Sequence, residues 1–202
     1  MKVIGITGGV GAGKSEILAH IQKRADCDVI AADRVAHDLE KRGGTCYDRI
    51  VALLGTEIVA EDGEIDRAKM AATIFADSEQ LKKINDIVHP AVKEYIVRAI
   101  AGERQSGRID YLFIEAALLI EDGYKEIVDE LWYIHADESI RKERLKKSRG
   151  YTEEKIDHIM SEQLSEEEFR RHCSVVIDNS RLLADTYRQI DEKLGEELCQ
   201  KQ

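Results

Sequence analysis

Gly8, Gly13, Lys14 and Ser15 stand in the spacing G-x-x-x-x-G-K-[ST], inside the opening stretch Met1-Lys-Val-Ile-Gly-Ile-Thr-Gly-Gly-Val-Gly-Ala-Gly-Lys-Ser. Those residue types in that order can hold a chain of phosphates. Glycines turn the backbone sharply and let its N–H groups approach phosphate oxygens with no Cβ between. A helix opening at Lys14 adds the positive end of its dipole. In such a loop the lysine reaches the β- and γ-phosphates and the following hydroxyl faces Mg²⁺. Gly9, Gly11, Ala12, Gly13, Lys14, Ser15 and Glu16 are therefore the candidate nucleotide-binding positions. Lys14 doubles as a catalytic cation, and Ser15 is the candidate Mg²⁺ ligand alongside ATP.

Two carboxylates fall just after apolar runs further along. Asp33 ends the run Cys27-Asp-Val-Ile-Ala-Ala, and Glu115 ends Tyr111-Leu-Phe-Ile. A carboxylate at a strand end beside a phosphate loop can orient an acceptor hydroxyl and take its proton, or hold a water on the metal. Asp33 can equally cap the helix after it, and Glu115 can be a solvated loop residue. A third feature is positive. Arg141, Lys142, Arg144, Lys146, Lys147 and Arg149 crowd into nine positions. Part of that run pairs with Glu138 and Glu143 at i,i+4 along a helix face. The arginines can also neutralise a transferring phosphoryl group if the segment closes over it. His89, ahead of Pro90, reads as a packing histidine, and the remaining histidines form no metal-ligand spacing.

These residues need elements to position them. Val3, Ile4 and Ile6 make a first strand, and Ile17, Leu18 and Ile21 the apolar face of the helix after the loop. Further strands are expected at 27–32, 111–115, 131–135 and 174–178. Strands alternating with helices imply a five-stranded parallel sheet covered on both faces, an α/β fold of the P-loop NTPase type. Ligands in such sheets bind at the carboxyl ends of the strands. Between 34 and 101 the pattern is helical: 34–42, 46–54, 67–75 capped by Asp66, and a longer helix starting at Asp77 or Ser78. The last of these carries Leu81, Ile84, Val88, Ala91, Val92 and Tyr95 as an apolar stripe, with Pro90 expected to kink or divide it. Glu61-Asp-Gly-Glu64 marks a tight turn. The organisation expected is a nucleotide-binding core of about 1–33 and 110–202, a helical substrate subdomain of about 34–109, and a lid of about 141–165 within the core. A helix over 138–148 ends at Gly150, another opens at Thr152, and a last one, about 182–199, buries Leu183, Tyr187, Ile190, Leu194 and Leu198.

The composition excludes several classes. The chain has 202 residues, 43% of them apolar, with one proline, which suits a folded domain rather than a disordered segment. A net charge of −10 argues against a nucleic-acid partner. No apolar run is long enough to cross a membrane. Cys27, Cys46, Cys173 and Cys199 form no C-x-x-C pair, so neither a zinc knuckle nor a disulfide framework is expected. The chain enters its first strand at once, without a leader, and the expected location is cytoplasmic. The expected assembly is a monomer or weak homo-oligomer. A phosphate loop, an acceptor-side carboxylate and a set of arginines are the parts of a small-molecule kinase. The alternatives are another small-molecule or nucleotide kinase and a nucleotide-dependent regulatory switch. Against the switch, Ile177-Asp-Asn-Ser180 lacks the lysine and second aspartate of a guanine-reading Asn-Lys-x-Asp stretch.

The ordered set of motifs resembles the dephospho-coenzyme A kinase family over nearly the whole chain. Ile6-Thr-Gly-Gly-Val-Gly-Ala-Gly-Lys-Ser15 is similar to that family's phosphate loop, and Val29-Ile-Ala-Ala-Asp33 to its second strand. Leu54-Gly55, Asp62-Gly63, Asp66-Arg67, Ile74-Phe75 and Ile87-Val-His-Pro90 follow in order. Then come Leu118-Leu-Ile-Glu121, Glu143-Arg-Leu145, Gln163 and Val176-Ile-Asp-Asn179. The resemblance implies transfer of the γ-phosphoryl of ATP, with Mg²⁺, to the ribose 3′-hydroxyl of dephospho-coenzyme A. It implies Asp33 as the acceptor-side catalytic carboxylate, Arg144 as a catalytic lid arginine, and Asn179 near the adenine of ATP. The sequence departs from the family pattern at Ala31 (usually Asp), Glu16 (often Thr) and Ala117 (usually Pro). It departs again at Ser148, where a second lid arginine is expected and Arg149 comes one residue late.

Overall fold

The computed structural model describes residues 1–199, and within them all side chains except those of 75, 76, 78 and 196–199. Leu198, Cys199 and the Ser78 cap therefore lie outside the described side chains. The chain divides into two compact units, one of Met1–Val29 with Glu103–Gln202, the other Ile30–Gly102.

The first unit is built on a sheet. Strands β1 (Lys2–Thr7), β2 (Cys27–Ala31), β3 (Tyr111–Glu115), β4 (Glu130–His135) and β5 (Val175–Asp178) lie in the order β2-β3-β1-β4-β5, all parallel. β1 is central and is buried from Val3 to Thr7, as a strand covered on both faces must be. Its even positions face α1 (Lys14–Ile21) and α9 (Leu183–Cys199). There Ile4, Ile6, Phe113, Trp132 and Ile177 pack with Ile17, Ile21, Ile190 and Leu194 in one apolar cluster. On the opposite face the ring of Tyr133 stacks on Phe169, centroids 4.7 Å apart. Phe169 belongs to α8 (Glu166–His172), a helix that the sequence pattern had not marked. Its seven residues bury only Phe169, so they show no stripe, but Ser165 and Glu168 close a full capping box at its start.

The second unit is helical: α2 (Ala32–Glu40), α3 (Tyr47–Leu54), a 3₁₀ turn at Thr56–Ile58, α4 (Arg67–Ala76) and most of α5 (Ser78–Ser106). Its only bridge among the described residues joins Val59 to Ile65 around the Glu61–Gly63 turn. Asp66 caps α4 as expected, accepting from the amides of Ala68 and Lys69.

Four expectations are corrected here. Pro90 does not divide α5, which runs unbroken from Ser78 to Ser106. The one hydrogen bond a proline forfeits is outweighed by a continuous buried side at Ile84, Val88, Val92, Ile96 and Ile100. Leu81 and Tyr95, expected on that side, are 44% and 49% exposed. Leu183 at the head of α9 is likewise exposed, while Ile190 and Leu194 are buried as expected. Periodicity gives the face of a helix but not the length along which a neighbour covers it. Finally, β2 stops at Ala31, so Asp33 does not end a strand but lies in the first turn of α2.

Helix α6 (Glu138–Arg149) ends at Gly150 in the left-handed region, and Thr152 caps α7 (Glu153–Ser161). Cys27, Cys46 and Cys173 are free thiols. Burial pushes the Cys173 thiol up to about 12, which keeps it protonated and unreactive at neutral pH. Among the described residues no helix is long and apolar enough to cross a membrane.

Candidate active site

The phosphate loop leaves the carboxyl end of β1, between the ends of its sheet neighbours. Ile6 is level with Glu115 of β3, and His135 of β4 with Asp178 of β5. Glu115 and Asn179 are thereby delivered to either side of the loop, whatever the chain length between them.

The loop itself is a set of backbone donors. Gly13 takes φ 92° and forms the amino cap of α1, a conformation that costs a residue with a Cβ about 1 kcal/mol or more. A Cβ at Gly13 would also strike the side-chain amide of Asn179. Within the loop the Ala12 amide donates to the Gly9 carbonyl at 3.1 Å, and the Glu16 amide to the Gly13 carbonyl at 3.1 Å. Those two amides shape the loop rather than point away from it. The Val10 amide donates to Oε1 of Gln163 at 3.2 Å. The amides of Gly11, Gly13 and Ser15 have no acceptor among the described residues, which fits them to an anion with several oxygens.

Three cations surround this cradle. Lys14 Nζ curls back to donate to the Gly8 carbonyl at 2.8 Å and lies 3.7 Å from Glu115 Oε1. Arg144 reaches from α6, its Nη1 3.3 Å from the Ala12 carbonyl and its Nη2 donating to the Asn179 carbonyl at 2.9 Å. Arg141, one turn earlier, donates from Nε to the Val10 carbonyl at 2.9 Å and from Nη2 to Gln163 Oε1 at 2.5 Å. Its guanidinium lies so close to Gly9 that a Cβ there would collide with it. Burial lowers the Arg141 pKa from its ordinary value, although the group stays charged. Neither arginine has a carboxylate within ion-pair distance among the described residues. A half-buried guanidinium satisfied only by neutral carbonyls leaves its charge available to a polyanion.

Asn179 is almost fully buried, at 1% exposure. Its Nδ2 donates to the Ala12 carbonyl at 2.7 Å, and its Oδ1 accepts from the Thr186 hydroxyl at 3.1 Å. The side chain therefore holds the loop in shape. Replacing Asn179 by alanine removes two buried hydrogen bonds, leaving the Ala12 carbonyl with Arg144 Nη1 at 3.3 Å and the Thr186 hydroxyl with the Asp178 carbonyl at 3.1 Å. The expected loss is about 1–3 kcal/mol of unfolding free energy by denaturant titration, with weaker ATP binding; an unchanged midpoint would contradict this role.

The other expected residues are placed as follows. Ser15 is exposed in the first turn of α1. Asp33 is exposed in the first turn of α2, whose amino cap is Ala31 without a side-chain bond. Asp33 is thus not used as a cap, and its carboxylate makes no hydrogen bond or ion pair among the described residues. Ser148, in place of the expected arginine, spends its hydroxyl on the Arg144 carbonyl at 2.7 Å. Arg149 is exposed, its guanidinium 5.8 Å above the Tyr151 ring. Arg141 and Gln163 therefore make the loop contacts that neither Ser148 nor Arg149 makes. Only the basic run and the lone glutamine hinted at them, and nothing local marks Thr186, whose part depends on β5 delivering Asn179 beneath the loop.

Comparison with known proteins agrees with this geometry. The family model described as dephospho-CoA kinase matches residues 2–185. The dephospho-CoA kinase of Corynebacterium diphtheriae is 34% identical over 201 residues, covering 100% of this chain and 97% of its own length. That of Aquifex aeolicus is 36% identical over 199 residues, covering 98% of each chain. Among solved structures, a protein of Thermus thermophilus superposes with a TM-score of 0.79 at 27% identity, over 96% of this chain and 97% of that one.

Proposed function

The chain belongs to the dephospho-CoA kinase family, and from that premise we propose how its own residues divide the work. The enzyme is an ATP-dependent phosphotransferase that uses Mg²⁺ and converts ATP and dephospho-coenzyme A to ADP and coenzyme A. The observation that carries the division of labour is the set of amides at Gly11, Gly13 and Ser15 that have no acceptor among the described residues, flanked by Lys14 and Arg144.

The amides of Gly11, Gly13 and Ser15 bind the non-bridging phosphate oxygens of ATP, while Gly9, Ala12 and Glu16 maintain the turn that aims them. Lys14 leaves the Gly8 carbonyl to bind the β- and γ-phosphates. Its charge, and that of Arg144, are worth most at the moment the γ-phosphoryl group is in transit, when negative charge spreads over its oxygens. At about 4 Å each such contact is worth up to about 4 kcal/mol with an effective dielectric near 20. Mg²⁺, when bound, neutralises the same oxygens, and the hard hydroxyl oxygen of Ser15 suits it as a ligand. Asn179 holds the loop beneath the nucleotide, and residues 141–165 act as a lid that excludes water.

Asp33 is the acceptor-side base. It orients the ribose 3′-hydroxyl and takes its proton as the oxygen bonds to the γ-phosphorus and the bond to the β-phosphate oxygen breaks, releasing ADP. Its exposed, uncapped position leaves it available for this. The helical unit Ile30–Gly102 supplies the surface for the acceptor.

The test is ADP release with and without acceptor. Purified protein with Mg-ATP is expected to release ADP rapidly only when dephospho-coenzyme A is added, one ADP per coenzyme A formed. Release indifferent to dephospho-coenzyme A, or stimulated only by a protein, would reject the assignment.

A further inference from the structure

Glu16 occupies the first turn of α1, three residues beyond Gly13. A carboxylate there is attracted to the positive end of the helix, which is the same end the loop offers to phosphate. The chain thus carries its own anion beside its anion site. In the structure that carboxylate is drawn sideways onto α9, where the Tyr187 hydroxyl donates to Glu16 Oε1 at 2.7 Å.

Tyr187 is itself held firmly. Its ring lies flat on His20 of α1, centroids 3.8 Å apart and planes within 2° of each other. His20 Nε2 is 2.9 Å from Asp191 Oδ1, and Arg24 Nη2 is 3.2 Å from Asp191 Oδ2. Asp191 lies four residues beyond Tyr187, one turn along α9. The adjacent Thr186 donates to Asn179, which in turn grips the Ala12 carbonyl of the loop. The head of α9 therefore reaches the nucleotide loop through Thr186 and Asn179, and the first turn of α1 through Tyr187. The bond to Glu16 raises the Tyr187 pKa from its ordinary value, so the hydroxyl stays a donor across the neutral range.

We propose that Tyr187 is a positioning residue for nucleotide binding: by holding the Glu16 carboxylate on α9, it stops that charge competing with phosphate for the amino end of α1. This rests on the loop binding the triphosphate of ATP and is independent of the acceptor. The cost of a released carboxylate is one unit of like charge near the phosphates, partly screened by solvent.

The experiment is a calorimetric titration of Mg-ATP, without acceptor, into three variants and the wild type. Tyr187→Phe keeps the ring on His20 and removes only the hydroxyl. Its Kd for Mg-ATP is expected to rise about five- to tenfold, and KM for ATP with it, while kcat at saturating ATP stays within about twofold. Glu16→Gln is expected to bind at least as tightly as the wild type. Tyr187→Phe combined with Glu16→Gln is expected to recover wild-type affinity within about twofold, because no charge remains to be held. Wild-type affinity in Tyr187→Phe would overturn the proposal. So would a loss that persists in the double variant, since Tyr187 would then act through packing alone. Because no acceptor enters the titration, a wrong acceptor assignment would leave this result untouched, whereas wild-type protein that binds no Mg-ATP would instead refute the reading of the loop.

Discussion

Lys14→Met is expected to lower kcat/KM for ATP by about a thousandfold or more, with the melting temperature changed little. Methionine matches the apolar stem of lysine and deletes the ammonium and its charge. The Nζ that now bonds the Gly8 carbonyl and faces Glu115 across 3.7 Å is the group we propose moves onto the phosphates. Removing one preorganised electrostatic contact to a transition state typically costs about 10²–10³ in rate. Here the loss is larger, because the Glu115 carboxylate is left with less compensation and repels the incoming triphosphate. Steady-state kinetics at several ATP concentrations, with calorimetric binding of Mg-ATP, separate the rate and affinity components. Activity within tenfold of wild type would remove Lys14 from the phosphate contacts.

Asp33→Asn has the opposite signature. The change is isosteric, touches no hydrogen bond among the described residues, and sits at an exposed position, so folding and Mg-ATP affinity are expected to stay within about twofold. A lost general base typically costs about 10²–10⁴ in turnover, and kcat is expected to fall by that much. Rate and affinity thus part company in Asp33→Asn and fall together in Lys14→Met. If Asp33→Asn turned over at the wild-type rate, the residue would be no part of the proton transfer. If ATP binding weakened as much as the rate, it would belong to the donor site instead.

The loop was legible in the sequence because its chemistry is local. A turn of glycines, a lysine and a hydroxyl must be contiguous to serve one phosphate chain, so Gly8 to Ser15 announce themselves. The sheet was legible for a related reason: strands buried on both faces read as plain apolar runs, and Tyr111–Glu115 begins and ends where its composition does. The position of Asp33 was blurred because Ala31 and Ala32 suit strand and helix alike, and only the backbone shows α2 opening at Ala32. Helix α8 escaped because one buried phenylalanine makes no periodicity; the capping box at Ser165 and Glu168 was its one visible sign.

What holds the loop was not legible at all. Asn179 and Ala12 are 167 residues apart, Gln163 and Val10 are 153 apart, and Tyr187 and Glu16 are 171 apart. The Asn179 and Tyr187 pairings arise from strand order, which brings the end of β5 to the loop beside β4, and the Gln163 pairing from α7 packing back on α6. A glutamine in the bend after α7, or a tyrosine on a half-exposed helix, carries no local mark of such a task. The family resemblance pointed to Gln163 without saying what it touches, placed Asn179 near the adenine of ATP without its hold on Ala12, and was silent on Arg141 and Tyr187, which engage the loop or its helix directly. The missing second lid arginine shows the same limit. Ser148 and Arg149 suggest a gap in the site, yet the guanidinium against Gly9 comes from Arg141, two turns earlier on α6.

The most direct measurement is the position of the transferred phosphoryl group. Purified enzyme, Mg-ATP labelled at the γ-phosphate and dephospho-coenzyme A are incubated, and the product is examined by phosphorus NMR and mass spectrometry. The expected product carries the label as a single new phosphomonoester on the ribose 3′-oxygen, in amounts equal to the ADP formed. Label that remains on ATP, passes to water, or lands on another hydroxyl while the ribose 3′-oxygen stays bare would contradict the account.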